Sequence, residues 1–206
     1  AALQVFQAFR ARYKELAKDP CVAYVAVFQN WGALAGASIY HPHYQMIAIP
    51  VVPPHVGHSL IGSRRYFKKH KRCVHCSVIA WEKKQKKRII AENSRAIAFV
   101  PFVSRKAFEV RVFPKLHGPS FEEETDGNLR GVVEVLHEAL RAMKREMNDP
   151  DYNFFIHTVP IRRREEDEGY HWHIEILPKI NISAGFELGT GIDINPVDPD
   201  DAARIL

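Results

Sequence analysis

Two short segments, 130 residues apart, carry the same pattern, and this constrains the chain to a duplicated fold. Tyr40-His41-Pro42-His43-Tyr44-Gln45 returns as Tyr170-His171-Trp172-His173-Ile174-Glu175. The likeness extends upstream, where Tyr24-Val25-Ala26-Val27-Phe28 resembles Tyr152-Asn153-Phe154-Phe155-Ile156 at a spacing of 128. Each copy is preceded by a helical apolar stripe that an Asp-Pro pair ends, at Asp19-Pro20 and Asp149-Pro150. In a strand, residues two apart share a face. The pattern therefore predicts His, His and an amide or carboxylate in one row, able to ligate a metal, attack an electrophile or hold a phosphate oxygen.

The remaining periodicities fill in the units. An amphipathic helix is expected over 3–18, with strands over 22–29 and 38–50. Residues 53–70, with their glycines, prolines and basic residues, read as a connector. A short helix is expected after Cys76, then strands at 88–92, 96–102 and 108–114. Ser120-Phe121-Glu122-Glu123 reads as a capping box. It would open a helix striped by Leu129, Val132, Val133, Leu136, Leu140, Met143 and Met147. Strands at 152–158 and 170–178 follow, separated by a charged loop over 162–168. Strand-rich units with one packed helix predict an α+β protein with an antiparallel sheet. The domains are expected at 1–58, the C-terminal half of a first unit, and 72–206, a complete second unit, with a basic connector over 59–71. The chain thus reads as one and a half repeats, a fragment of something longer.

Bulk properties exclude little. The chain has 206 residues, 46% hydrophobic and 26% charged, and a net charge of +5. No apolar run reaches the roughly 18 residues of a membrane span, so no membrane partner is expected. The positive charge clusters at Arg64-Arg65, Lys68 to Arg72 and Lys83 to Arg88. It offers either an attractive field for phosphorylated substrates or a solvated linker and helix face. No aromatic interleaving or nucleic-acid motif accompanies it, which argues against nucleic acid as partner. Three cysteines, two of them in Cys73-x-x-Cys76, suit a metal site in a reducing compartment rather than a disulfide framework. A cytoplasmic location is expected on that ground.

Two constellations carry chemistry. In the first, His41-Pro42-His43-Tyr44-Gln45, proline restricts the backbone between the imidazoles, and Gln45 can donate an amide hydrogen bond to a phosphate oxygen. The small-residue run Gly32 to Ser38 before it lets backbone approach a ligand, with Asn30 and Ser38 supplying polar groups. In the second, Cys73, Cys76, His117 and His171 make a tetrahedral zinc set, with His157 competing as a ligand. His55, His58, His70 and His75 read as surface residues.

The segment Asn30-x-Gly32-x-x-x-Gly36-x-Ser38, followed by His-Pro-His-x-Gln, resembles the active-site segment of galactose-1-phosphate uridylyltransferases, in the histidine-triad superfamily. Ala98 to Phe102, Phe113 to His117 and His171-Trp172-His173 are similar to that family's second domain. Gly185-Phe186-Glu187 resembles its sugar-contacting Gly-Tyr-Glu segment, with Phe in place of Tyr. The resemblance implies histidine-triad-like units and His43 as nucleophile on the α-phosphorus of a UDP-hexose. It implies that Gln45, Ser38 and Gly36 lie at the phosphate and Asn30 at the nucleotide end. Gly185, Phe186 and Glu187 would lie at the sugar, and His41 would be a zinc ligand of the first domain. The implied reaction moves UMP between hexose 1-phosphates, so UDP-hexose and hexose 1-phosphate are the expected partners. Alternatives are a nucleotide-sugar or dinucleoside-polyphosphate phosphorylase, and a non-catalytic zinc-bound nucleotide- or RNA-binding module. An interrupted repeat exposes a sheet edge that invites pairing, so a homodimer is expected.

Overall fold

The computed structural model describes residues 1–162, 165–182 and 184–206. Its centre is one seven-stranded antiparallel sheet in the order β2-β1-β6-β7-β5-β4-β3. The strands are β1 Tyr24–Trp31, β2 Gln45–Ile49, β3 Ile89–Glu92, β4 Ala96–Phe99, β5 Val110–Pro114, β6 Tyr152–His157 and β7 His173–Pro178. Two strands of the first unit thus continue the five strands of the second, joined where β1 pairs with β6. The architecture is α+β, as expected.

Helix α1, Ala2–Leu16, and helix α4, Asp126–Glu146, cover one face. Alternation along the strands sends Val25, Val27, Phe154, Ile156, Ile174 and Ile176 into the core beneath them. Phe6, Phe9 and Tyr13 descend from α1 at helical spacing, and Leu129, Val132, Leu136 and Met143 from α4. Phe6 bridges the units, 6.5 Å from the Phe121 ring centroid and 6.3 Å from that of Phe154. The short C-terminal helix α6, Pro199–Ile205, buries Ala202 in the same core.

Helices α2, Pro54–His70, and α3, Val74–Gln85, lie on the opposite face. The stretch expected to be a connector is therefore helical. Pro54 sits at its first turn, where a missing N–H costs nothing. Val56 and Leu60 pack on Tyr24, Val159 and Tyr170. Arg64 bonds the buried Asp167 carboxylate at 2.7 Å. This packing outweighs the low helix propensity of Gly57 and Gly62.

Three further expectations change. The N-cap of α4 is Thr125, whose side chain accepts from the Asn128 N–H at 3.2 Å, so Ser120 does not open this helix. The strand expected over 38–50 begins only at Gln45, so His41 and His43 stand in the loop that enters it. Of the expected charged loop, 163 and 164 lie outside the described residues, and Glu165–Gly169 is a 3-10 helix.

The pairing also corrects the repeat. Phe28 lies opposite Gln45 in β1–β2, and Phe155 lies opposite Glu175 in β6–β7. Since Gln45 and Glu175 occupy matching places in the motif, Phe28 matches Phe155, a spacing of 127 rather than 128. Burial agrees, with Val27 and Phe154 buried and Phe28 and Phe155 half-buried. A slip of one residue would exchange the faces. Phe28 and Phe155 also oppose each other across β1–β6, which places a pseudo-twofold axis at that pair.

Candidate functional site

The sheet face opposite the main core forms a cavity of about 810 Å³. Phe28, Asn30, Phe155, His157, His173 and Glu175 form its floor, and Arg105, Arg111, His55, Ser59 and His75 stand around it. Its size is that of a small-molecule site. Glu187 lies on its rim, in helix α5, Gly185–Thr190, and its carboxylate accepts from the Ala184 N–H at 3.1 Å. Phe186, beside it, is half exposed at 52%.

At the first-unit end of the sheet, outside the residues that line this cavity, His43 is half-buried and its Nδ1–H donates to the His41 carbonyl at 3.1 Å. The bond fixes the tautomer and leaves Nε2 as the ring nitrogen with a free lone pair. His41 is exposed, its ring 6.2 Å from that of His43. Among the described residues it joins no cluster of potential metal ligands. Gln45 opens β2 opposite Phe28, which places it on the cavity face with Asn30, two residues along β1. Between them the chain makes a 3-10 turn at Ala33–Ala35, and Gly36 takes the left-handed conformation at φ +84° that suits glycine. Ser38 is exposed in the same loop.

The second unit repeats this geometry with different neighbours. The His173 Nδ1–H donates to the His171 carbonyl at 3.0 Å. The His173 ring stacks at 4.7 Å on both Phe113 and His157. Glu175 accepts from His157 Nε2–H at 3.1 Å and from Arg105, and Arg111 pairs with Glu109 at 2.6 Å. Burial pushes the Glu175 carboxyl up, but His157, Arg111 and Arg105 outweigh it and hold the group below the ordinary range. Burial holds His173 well below the usual imidazole value, and His157 and His75 add to the effect. His75, expected at the surface, instead lies against Phe113, Tyr170 and His173. Its Nε2 is buried without a hydrogen-bond partner among the described residues.

Beside this floor, Cys73, Cys76, His117 and His171 converge, their ligand atoms all within 4.8 Å of one another. Cys76 Sγ lies 3.4 Å from Nδ1 of both His117 and His171. A tetrahedral zinc with Zn–S near 2.3 Å and Zn–N near 2.0–2.1 Å would set that edge at about 3.5 Å. His117 donates its other nitrogen to the Glu168 carbonyl at 2.7 Å, which directs Nδ1 inward. The hydrogen bond from Cys76, then those of His117 and His171, draw the Cys73 thiol far below its ordinary value despite burial. The donor set fits a zinc ion that would tie helix α3 to the β5–α4 and β6–β7 connections. His157 faces Glu175 instead and is not part of this set.

Sequence reasoning missed the groups that line the cavity from outside the motifs. Arg105, Arg111 and His75 are separated from His173 by scores of residues, and only the sheet order brings them together. Asp151 and Asn153, which reach across to the first unit's loop, were visible only as the residue after Pro150 and a residue of the strand expected over 152–158.

Comparison with known proteins agrees with this geometry. A family profile described as "Domain of unknown function (DUF4921)" matches residues 6–205. The ADP-glucose phosphorylase of Arabidopsis thaliana is 38% identical over 200 residues, covering 97% of this chain and 56% of that protein. The galactose-1-phosphate uridylyltransferase of Thermotoga maritima is 30% identical over 203 residues, covering 95% and 63%. The solved structure of an Arabidopsis thaliana ADP-glucose phosphorylase with bound ADP-glucose superposes with a TM-score of 0.91 at 35% identity, covering 98% of this chain and 65% of that one. The chain therefore spans little more than half the length of the curated relatives it matches. With its repeat, its sheet and its paired histidine motifs, the chain carries the DUF4921 domain and belongs to the galactose-1-phosphate uridylyltransferase family.

Proposed function

We propose that the protein transfers a nucleoside monophosphate from a nucleotide sugar to a phosphate acceptor through a covalent bond to His43. The observation that carries this is the His43 ring, its Nδ1 engaged by the His41 carbonyl at 3.1 Å and its Nε2 left to attack. In the first half-reaction Nε2 bonds to the α-phosphorus, the bond to the leaving phosphate oxygen breaks, and hexose 1-phosphate departs. In the second, an acceptor phosphate oxygen attacks the same phosphorus, the P–N bond breaks, and neutral imidazole returns. Gln45, Ser38 and the loop at Gly36 hold phosphate oxygens, and Asn30 contacts the nucleotide end. Gly185, Phe186 and Glu187 bear on the sugar. Cys73, Cys76, His117 and His171 would hold a zinc ion that would supply structural cross-linking; in this reading none of the four takes part in the transfer.

The acceptor separates two readings. With a hexose 1-phosphate acceptor the reaction exchanges UMP between sugars; with inorganic phosphate it is a phosphorolysis. The 38% identity to an ADP-glucose phosphorylase supports the second at least as well as the first. Incubating the full gene product with ADP-glucose or UDP-glucose, and reading its intact mass, identifies the nucleotide. Discharge of the loaded protein by phosphate or by galactose 1-phosphate identifies the acceptor. A protein that gains no mass from either donor refutes the covalent route. Exposed apolar residues at Ile182, Leu188 and Ile192 support the expected homodimer, which light scattering tests.

A further inference from the structure

We infer that Asn153, with Asp151, positions Asn30 and its loop for the donor, so that the second unit builds part of the first unit's site. This rests on the nucleotidyl-transfer reading. Asn153 lies directly opposite Asn30 across the β1–β6 seam. Its side-chain amide donates to Asn30 Oδ1 at 2.8 Å and to the Ala35 carbonyl at 2.9 Å. A carbonyl can only accept, so the Ala35 contact settles which way the Asn153 amide faces. Asn153 then presents N–H to Asn30, which must answer with its oxygen. The Asn30 NH₂ is left to donate into the cavity that both residues line. A donor there suits an oxygen-bearing group of a nucleotide sugar, whether phosphate, ribose hydroxyl or base carbonyl.

Asp151 holds the other end of the loop. Its carboxylate accepts from the Leu34 N–H at 2.6 Å. Gly32 passes so close, at φ +83°, that a Cβ there would lie 1.9 Å from Asp151 Oδ1. The glycine of the motif is thus required by a carboxylate of the other unit as well as by its own backbone. The relay runs from the loop carbonyl through Asn153 to Asn30 and on to the ligand.

The test compares Asn153→Asp with Asn153→Ala in the full gene product, with donor affinity measured by calorimetry and melting temperature as the control for folding. The carboxylate cannot donate to Ala35 and would accept from the Asn30 NH₂, turning the Asn30 oxygen toward the ligand. Asn153→Asp should weaken binding of ADP-glucose or UDP-glucose by about tenfold or more, and Asn153→Ala by only about threefold, because alanine leaves Asn30 free to turn. A merely structural role gives the opposite order, since Asp is the closer shape. In an Asn30→Ala background, Asn153→Asp should add little. Equal affinity for the two Asn153 variants, or a full Asn153→Asp effect without Asn30, overturns the inference. Should Asn153→Asp fail to fold, Asp151→Asn keeps an acceptor for Leu34 and should retain affinity, whereas Asp151→Ala should lose several-fold; equal values overturn the role of the loop. Donor binding without a covalent adduct would sink the His43 reading and leave this test intact. A wild-type protein that binds neither donor overturns both.

Discussion

His43 and His173 occupy matching places in the two units and are held by the same bond, Nδ1–H to the carbonyl two residues back, at 3.1 and 3.0 Å. Their surroundings differ at each neighbouring position. His43 stands in an open loop, while His173 is 3% exposed beneath aromatic rings. Gln45 offers a neutral amide where Glu175 offers a carboxylate bound by Arg105 and His157. Asn30 is replaced by His157, as the 127-residue spacing of the strands requires. The repeated backbone orients an imidazole in both places, and the residue two positions on decides what it can do. An amide can donate to an arriving phosphate, whereas a carboxylate repels it. The second unit has the same scaffold but holds a carboxylate in an ionic network on the cavity floor.

The strongest way to break this comparison is to move the nucleophile. His43→Ala should abolish the covalent adduct and reduce turnover by roughly 10³-fold or more, as removal of a nucleophile does. His173→Ala should keep the adduct. Mapping the nucleotide to His173 by peptide mass spectrometry would reverse the assignment of the two sites.

Metal removal should act on the second unit's fold. Cys73→Ser should lose the bound zinc and lower the melting temperature by about 10 °C or more. Both thiols must be deprotonated to bind the ion, so zinc should be released in acid. Elemental analysis across a pH series reads this directly. A Cys73→Ser protein that retains stoichiometric zinc would remove the metal centre from the second unit.

A smaller effect is expected from giving the second unit the first unit's residue. Glu175→Gln takes the carboxylate from Arg105 and His157, while Arg111 keeps Glu109, and should cost about 1.5–3 kcal/mol, the range for hydrogen bonds to charged groups. The folded Glu175 carboxyl is held near 2, below the ordinary value of about 4.3. Its stabilisation is therefore complete above about pH 4.3 and is lost as the pH falls toward 2. The stability gap between wild type and Glu175→Gln, read by urea titration, should narrow over that window. A gap that is constant with pH would show that Glu175 acts by packing alone.

The repeat and the convergence of Cys73, Cys76, His117 and His171 were legible in the sequence because each rests on short runs of reactive residue types. What failed had a competing signal. Tyr24 and Tyr152 matched in type but stand one step out of register, and only strand pairing resolves a single step. Helix α2 carries Gly57, Gly62 and a basic tail that read as a connector, whereas Val56 and Leu60 bury against Tyr24. Ser120 fits the capping pattern, yet Thr125 takes the role one turn before the apolar stripe begins. The contacts of Asn153 and Asp151 with the first unit's loop cross more than a hundred residues of chain, so no local pattern could announce them.

The smallest expected effect tests the axis that relates the two regions. Phe28 and Phe155 face each other across the β1–β6 seam, and each is half-buried on the cavity floor. If the pseudo-twofold passes between them, the two rings stand at equivalent backbone positions, and truncating either should cost a similar amount. A fully buried Phe→Ala costs about 3–5 kcal/mol. Half-burial on an open face should reduce this to about 1–2 kcal/mol, because water can refill the space. Urea unfolding of Phe28→Ala and Phe155→Ala should therefore give values within about 0.5 kcal/mol of each other, the spread within which independent substitutions add. If Phe155→Ala instead cost several times as much as Phe28→Ala, the seam would belong to the second unit's core. The first unit's strands would then be an appendage to that core and not its symmetric partner.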